Sequence, residues 1–112
     1  MACSCRLPSA DQILERSASI FTGVALKTRP AAGREAITTF RVIAGYKRVK
    51  RGQVVSIRHR SGPSASCGIR FEQGQRHLVA TGREGMSETA GACSIAAMRS
   101  EAGEELVRRL GR

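Results

Sequence analysis

Four cysteines constrain what this 112-residue chain can fold into more than any other feature of its sequence. Cys3 and Cys5 flank a single serine, while Cys67 and Cys93 follow much later, in segments rich in glycine and serine. A bond between Cys3 and Cys5 would close a strained small ring, so each is expected to reach a distant partner. Two pairings remain: Cys3 with Cys67 and Cys5 with Cys93, or the crossed alternative.

A zinc site is the main alternative to disulfides. Zinc-binding domains use pairs of cysteines with two to four residues between them. Cys3 and Cys5 have only one residue between them, and Cys67 and Cys93 are 26 positions apart, so neither pair fits. Disulfides are common in small secreted domains and rare in the cytosol. We therefore expect two disulfides and a secreted or periplasmic protein, although the chain shows no signal peptide.

Short alternating segments separated by turn residues predict an all-β domain with peripheral helices. We expect strands at residues 19–26, 36–44, 53–60, 67–71 and 77–81. Proline and glycine predict a loop at residues 28–35 and a series of turns at residues 82–91. A capping box predicts a helix over residues 9–16, and early glutamates with late arginines predict another over residues 100–110. These elements are typical of a small barrel or sandwich.

Positive charge is concentrated in the middle of the chain. Lysine and arginine number 19 against 9 acidic residues, giving a net charge of +10. Residues 36–71 hold eight of the cations and no acidic residue. Such a block is either a solvated surface or a site for an acidic partner, such as an acidic polysaccharide or an acidic protein. The candidate anion-binding residues are Arg41, Lys47, Arg48, Lys50, Arg51, Arg58 and Arg60.

Other function classes find little support in the sequence. No apolar run approaches a membrane span, and no H-E-x-x-H, G-x-S-x-G or phosphate-loop motif occurs. We interpret His59 and His77, the two histidines, as strand residues rather than ligands, and expect no enzyme, no cofactor and no metal site of the protein's own. Single-stranded nucleic acid needs exposed aromatic rings. The three phenylalanines are expected in the core, so nucleic acid is not a favoured partner.

Several segments occur together in an order that resembles a known family. They are Cys3-Ser4-Cys5, Ile20-Phe21-Thr22-Gly23, Thr39-Phe40-Arg41-Val42 before Tyr46-Lys47, Ser64-Ala65-Ser66-Cys67-Gly68 and Gly91-Ala92-Cys93-Ser94. Together they resemble the inhibitory N-terminal domain of the tissue inhibitors of metalloproteinases, which belongs to the netrin-like module. The resemblance covers residues 3–95 and implies a five-stranded OB-type barrel, with residues 96–112 as a C-terminal helical extension. It also implies that Cys3 pairs with Cys67 and Cys5 with Cys93.

The resemblance implies a mechanism as well. In those inhibitors the free α-amino group and carbonyl oxygen of the first cysteine chelate the protease's catalytic zinc. Here Cys3 would do so after cleavage behind Ala2, and Ser4 would enter the specificity pocket. The inhibitory edge implied in this way consists of Cys3, Ser4, Cys5, Arg6, Ser64, Ala65 and Ser66. The alternative function is a netrin-like scaffold or anion-binding module. It would bind an acidic polysaccharide, an acidic protein or single-stranded nucleic acid through the basic residues 41–60.

Overall fold

The computed structural model describes residues 5–62 and 67–110, which form a five-stranded β-barrel with three short helices packed against it. The elements in chain order are α1 (Ala10–Arg16), β1 (Ser19–Pro30), β2 (Glu35–Lys47), β3 (Val54–Arg60), β4 (Arg76–Glu84), β5 (Ser87–Ala90), α2 (Ala92–Met98) and α3 (Glu101–Leu110). Around the closed barrel the strands follow the order β1-β2-β3-β5-β4. All neighbours are antiparallel except β3 and β5. The expected all-β fold with peripheral helices is confirmed, with the strand number of an OB-type barrel.

The barrel interior is built from residues that alternate along the strands. On β2 the side chains of Thr38, Phe40 and Val42 are buried, as their period of two predicts. The Phe40 ring contacts Phe21 and Phe71 edge-to-face, with ring centroids 5.6 Å and 4.9 Å apart. Edge-to-face contacts between aromatic rings add to the free energy gained from their burial. The expectation that all three phenylalanines lie in the core is therefore confirmed.

The helices cover one outer face of the barrel. A second apolar cluster joins Ile13 of α1, Met98 of α2 and Leu106 of α3 to Ile20 and Ala80 on the outside of the sheet. The capping box expected at the start of α1 is present, since the Ser9 hydroxyl accepts from the Gln12 amide and the Gln12 side chain accepts from the Ser9 amide. The interior and the helix-covered face thus form two separate apolar clusters.

Three predicted segments differ from the structure. Residues 67–71 are not a strand, because Cys67 has a left-handed φ of 62° and Gly68 packs directly against the Gly62 backbone. Ile69 still donates one backbone hydrogen bond to Arg60. The expected turns at residues 82–91 instead include the end of β4 and all of β5. Finally, β1 and β2 extend into the expected loop, which shortens to residues 31–34.

The C-terminal part of the chain belongs to the same packed unit as the barrel. Cys93 follows the expected turns at residues 82–91 and lies in α2, a helix that was not predicted from the sequence. The expected limit between barrel and extension, at residue 95, falls inside this helix. Ile95 packs into the barrel interior, while Ala97 and Met98 pack into the outer cluster. A single helix therefore contributes to both cores.

Candidate functional site

The N-terminal segment is fixed to α2 by a disulfide. Cys5 is bonded to Cys93, with their Cα atoms 5.3 Å apart, which is the pairing that the resemblance implied for these two residues. Arg6, the next residue of the implied inhibitory edge, is exposed. The remaining members, Cys3, Ser4, Ser64, Ala65 and Ser66, lie outside the described residues. This disulfide, called the anchor below, holds Cys5 against α2.

Cys67 lies at the same end of the barrel as this anchor. It is disulfide-bonded, and its expected partner Cys3 lies outside the described residues. Gly68 and Ala92, the neighbours of Cys67 and Cys93, both line one cavity at the end of β3. The fold therefore brings the N-terminal segment and the start of the Cys67 segment to one edge, although 88 positions separate Cys5 from Cys93.

The seven candidate anion-binding residues do not form one patch. β3 runs from Val54 to Arg60, and six steps along a strand cover roughly 20 Å. Arg41, Arg48, Lys50 and Arg51 lie near the start of β3, because Arg41 pairs with Val54 and the other three lie in the β2–β3 connection. Arg58 and Arg60 lie at the opposite end of the strand.

Two members of this set are occupied by contacts within the protein. The Lys47 ammonium donates to the carbonyl oxygens of Leu14, Glu15 and Ser17 at the C-terminal end of α1. Cations are favoured there because the last carbonyls of a helix lack partners. The Arg58 guanidinium lies 3.6 Å from Glu35 and 4.0 Å from Glu84. Lys47 thus caps a helix, and the charge of Arg58 is offset by two carboxylates.

The four remaining cations at the start of β3 define what we call the basic loop: Arg41, Arg48, Lys50 and Arg51. All four side chains are exposed, and none has an ion-pair partner among residues 5–62 and 67–110. The connection is held by hydrogen bonds: the Gln53 side chain accepts from the Lys50 amide at 2.7 Å, and Gly52 donates to Val42 at 2.8 Å. The basic loop is therefore an ordered cationic surface.

A glycine allows the basic loop to fold back onto β2. The backbone of Val49 lies so close to Gly45 that a Cβ at that position would collide with the Val49 carbonyl oxygen. The Val49 side chain also packs against the barrel core. Arg48 adopts a left-handed φ of 66°, a conformation that non-glycine residues rarely occupy. These contacts fix the path of the β2–β3 connection, which carries Arg48, Lys50 and Arg51.

A cavity of about 850 Å³ opens at the other end of the barrel. Its apolar lining includes Ile69, Phe71 and Ile95, and its polar lining includes Thr28, His59, Arg70 and Arg99. The sequence did not predict this site, because Thr28 was assigned to a loop and residues 67–71 to a strand. The sequence predicts that His59 lies on a strand; its buried, inward-facing position is seen only in the structure.

A directed chain of hydrogen bonds leads from the cavity into the barrel. His59 Nδ1 lies 3.1 Å from the Arg60 carbonyl oxygen, which can only accept, so Nδ1 carries the proton. His59 Nε2 therefore accepts from the Thr38 hydroxyl at 2.7 Å. Thr38 in turn accepts from the Thr28 hydroxyl at 2.7 Å. The hydroxyl hydrogen of Thr28 points inward, and its oxygen keeps a lone pair for the cavity.

Burial lowers the pKa of both histidines, which favours their neutral forms. Desolvation lowers the pKa of His59 below its usual 6.5, and the bond to Arg60 opposes this only in part. Desolvation is also the main cause that lowers the pKa of His77, and the nearby positive charge of Arg99 lowers it further. The backbone hydrogen bond to Glu72 and the negative charge of Glu72 both act in the opposite direction. The two rings pack edge-to-face on Phe71, with centroids 4.9 Å and 5.1 Å away. Both histidines therefore pack against Phe71, which forms part of the cavity wall.

The described residues show neither a metal cluster nor a membrane helix. No group of three or more His, Cys, Asp or Glu side chains could hold a metal ion within residues 5–62 and 67–110. No helix in that part of the chain is long and apolar enough to span a bilayer.

The single tyrosine of the chain is Tyr46. Its ring is half-buried, and its hydroxyl shares a hydrogen bond of 3.2 Å with Thr22.

The fold and these surfaces define a small disulfide-bonded β-barrel with a basic loop at one end and a cavity at the other. Comparison with protein-family models finds no match, and comparison with curated proteins finds none either.

Proposed function

We propose that this protein is a secreted binding module that inhibits a zinc metalloproteinase through its N-terminal cysteine. The single observation that carries the proposal is the Cys5–Cys93 bond, which fixes the N-terminal segment at the barrel end where the Cys67 segment begins. Two chain segments that are distant in sequence thereby share an edge. The cysteine framework resembles that of the tissue inhibitors of metalloproteinases, and the five-stranded barrel agrees with the fold of that family.

The chemistry of such an inhibitor is simple. A catalytic zinc keeps one coordination position open, and a neutral amine is a good ligand for it. An α-amino group has a pKa near about 8, so its deprotonation on the metal costs little. In this proposal the amine is that of Cys3, freed by cleavage after Ala2, and Ser4 enters the specificity pocket. A segment held by disulfides loses little conformational entropy on binding.

The experiment compares two forms of the protein that differ only at the N-terminus. Protein beginning at Cys3 and protein beginning at Met1 are assayed, with disulfides oxidised, against a panel of zinc metalloproteinases. We expect inhibition by the Cys3 form and a loss of at least about tenfold in the Met1 form, because an amide nitrogen cannot ligate zinc. Acetylation of the Cys3 amine is the matched control and should abolish inhibition. If neither form inhibits any protease of the panel, the proposal is wrong.

A second candidate function is supported by the basic loop. We propose that it binds an acidic polysaccharide, because four exposed cations lack carboxylate partners among the described residues and the loop that presents three of them is ordered. Such a surface attracts polyanions electrostatically. Nucleic acid is less favoured: the phenylalanine rings are buried and Tyr46 is half-buried, which leaves no stacking platform in the part of the chain that the structure describes.

The test of this second function uses charge reversal with a matched control. Arg48→Glu/Arg51→Glu changes the basic loop, while Arg83→Glu/Arg108→Glu makes the same change in net charge at exposed sites elsewhere. We expect the first variant to elute from a heparin column at clearly lower salt than the second, since local charge density governs retention. Equal retention of the two variants would exclude the loop as the site. Stronger binding to single-stranded DNA or to an acidic protein than to heparin would reassign the partner.

A further inference from the structure

The cavity at the end of β3 is used by neither proposed function. We propose that it binds a small organic anion with an apolar body and a hydrogen-bond donor group. Its volume of about 850 Å³ lies in the range of sites for small molecules. Three properties of its wall define the chemistry of this ligand: its charge, its apolar surface and the orientation of Thr28.

The charge of the wall selects an anion. Arg70 and Arg99 both line the cavity, and no aspartate or glutamate is among the described residues that do so. Neither arginine has an ion-pair partner within residues 5–62 and 67–110. His59 adds no positive charge, because its Nε2 is an acceptor. Guanidinium groups bind carboxylates through paired hydrogen bonds, so a carboxylate is the anionic group we assign.

The apolar part of the wall selects the body of the ligand. Ile69, Phe71 and Ile95 line the cavity and belong to the barrel core, so they form a fixed apolar surface. The Phe71 ring is held between His59 and His77, whose rings contact it edge-to-face. A rigid apolar wall beside two cations is suited to a ligand with an apolar group next to its carboxylate. An aromatic acid meets this requirement.

Thr28 adds a preference for a donor. Its hydroxyl hydrogen is directed to Thr38, because the chain of bonds ends on the acceptor nitrogen of His59. The Thr28 oxygen therefore offers a lone pair to the cavity and accepts a hydrogen bond from a ligand hydroxyl or N–H. A ligand with both a carboxylate and a hydroxyl satisfies the arginines and Thr28 together.

The test uses three probes that share a phenylpropyl skeleton and differ only in their polar groups. These are 3-(4-hydroxyphenyl)propanoate, 3-phenylpropanoate, which lacks the hydroxyl, and 3-(4-hydroxyphenyl)propan-1-ol, which lacks the carboxylate. Each is titrated into the full oxidised chain, and affinity is measured from backbone amide chemical-shift changes. We expect the first probe to bind most tightly, the alcohol at least about tenfold more weakly, and shifts at residues 59, 69–71 and 95–99.

Two variants locate the interactions. Arg70→Gln/Arg99→Gln should weaken the hydroxy acid at least about tenfold, while Arg83→Gln/Arg108→Gln, which removes the same charge elsewhere, should leave its affinity unchanged. Thr28→Val should remove the preference for the hydroxy acid over 3-phenylpropanoate. All of these positions are exposed, so the substitutions should not disturb the fold. An unchanged spectrum away from the cavity shows that each variant is folded.

Three results would overturn the proposal. The first is the absence of any shift at the cavity residues with all three probes. The second is equal affinity for the acid and the alcohol, and the third is equal affinity in the Arg70/Arg99 variant and its control. None of these results bears on protease inhibition or heparin retention, so this inference and the proposed functions fail independently.

Discussion

His59 illustrates how much one residue can depend on its hydrogen bonds. Its side chain is almost wholly buried, and both ring nitrogens have partners in the neutral form. Protonation would turn Nε2 into a donor facing the Thr38 hydroxyl, which would then have to reverse its own bond to Thr28. The ring is therefore a buried base that the fold keeps neutral, not a free titrating group.

We predict that stability falls as pH decreases below about 6.5, the ordinary histidine pKa. The pKa values of His59 and His77 are lowered in the folded protein, so the unfolded chain takes up protons first. This contribution to the unfolding free energy is complete above the unfolded pKa and is lost as pH falls through the folded values. Urea unfolding at pH 5 and 7.5, with disulfides intact, measures it.

The variant His59→Gln tests the assignment. It should flatten the dependence on pH, and it should lower stability at pH 7.5 by about 1–3 kcal/mol because buried hydrogen-bonding groups lose their partner. His77→Asn is the comparison: it removes the contribution of His77 and should flatten the dependence only in part, since the His59 contribution stays in place. An unaltered slope in His59→Gln would show that other groups cause the effect.

Lys47 gives a second prediction at this scale. Lys47→Met should lower the unfolding free energy by about 1–3 kcal/mol, because three carbonyl oxygens at the end of α1 lose a charged donor. Lys50→Met removes an equal charge from an exposed side chain without an ion-pair partner among the described residues, and should change stability by less than about 0.5 kcal/mol. Denaturant unfolding compares the two, and equal losses would exclude the capping role.

At the scale of elements, sequence patterns correctly predicted those strands and helices that depend mainly on interactions between neighbouring residues. The alternation of Thr38, Phe40 and Val42 placed β2 correctly, and the Ser9 capping box placed α1. β5 was missed because its four residues, three of them polar, carry too little pattern. Its Glu88 is held by tertiary contacts, accepting hydrogen bonds from Ser19 and Thr81. No pattern in the local sequence predicts hydrogen bonds between residues so far apart in the chain.

The path of the β2–β3 connection leads to a third prediction. Gly45→Ala should destabilise the protein by about 1–3 kcal/mol, because the new methyl group collides with the Val49 backbone and forces the basic loop outward. Gly82→Ala is the control, since a Cβ there meets only the Thr89 hydroxyl at an ordinary 3.7 Å. Thermal unfolding provides the measurement, and equal stability of the Gly45→Ala and Gly82→Ala variants would contradict the close packing.

At the scale of the whole molecule, the sequence predicted the class of fold but not the cavity. Short alternating segments predicted a small barrel or sandwich with peripheral helices, and the family resemblance implied a barrel; the barrel with helices outside it is what the structure has. The pairing of β4 with β1, and the meeting of Thr28, Arg70 and Arg99 at one cavity, are contacts between distant residues. Such contacts leave no periodic trace in a single sequence. The basic block was visible, but its division between two ends of β3 was not.

The Cys5–Cys93 bond leads to a prediction for the whole chain. It closes a loop with a sequence separation of 88, and such a constraint on the unfolded chain contributes about 2–4 kcal/mol. Cys5→Ala/Cys93→Ala should lose about that much in denaturant unfolding. Leu7→Ala, at an exposed position beside the anchor, is the control and should change little. A double variant as stable as this control would show that the bond is not needed to hold the fold.

The same bond determines how the molecule responds to mechanical force. A pull applied between the segment before Cys5 and the end of α3 passes directly from Cys5 to Cys93, which are 5.3 Å apart at Cα. All five strands lie within the covalent loop, so tension bypasses the barrel and acts only on the helices after residue 93. In an oxidising medium the protein would therefore lengthen by α2 and α3 alone, and the barrel would unravel under tension only after reduction.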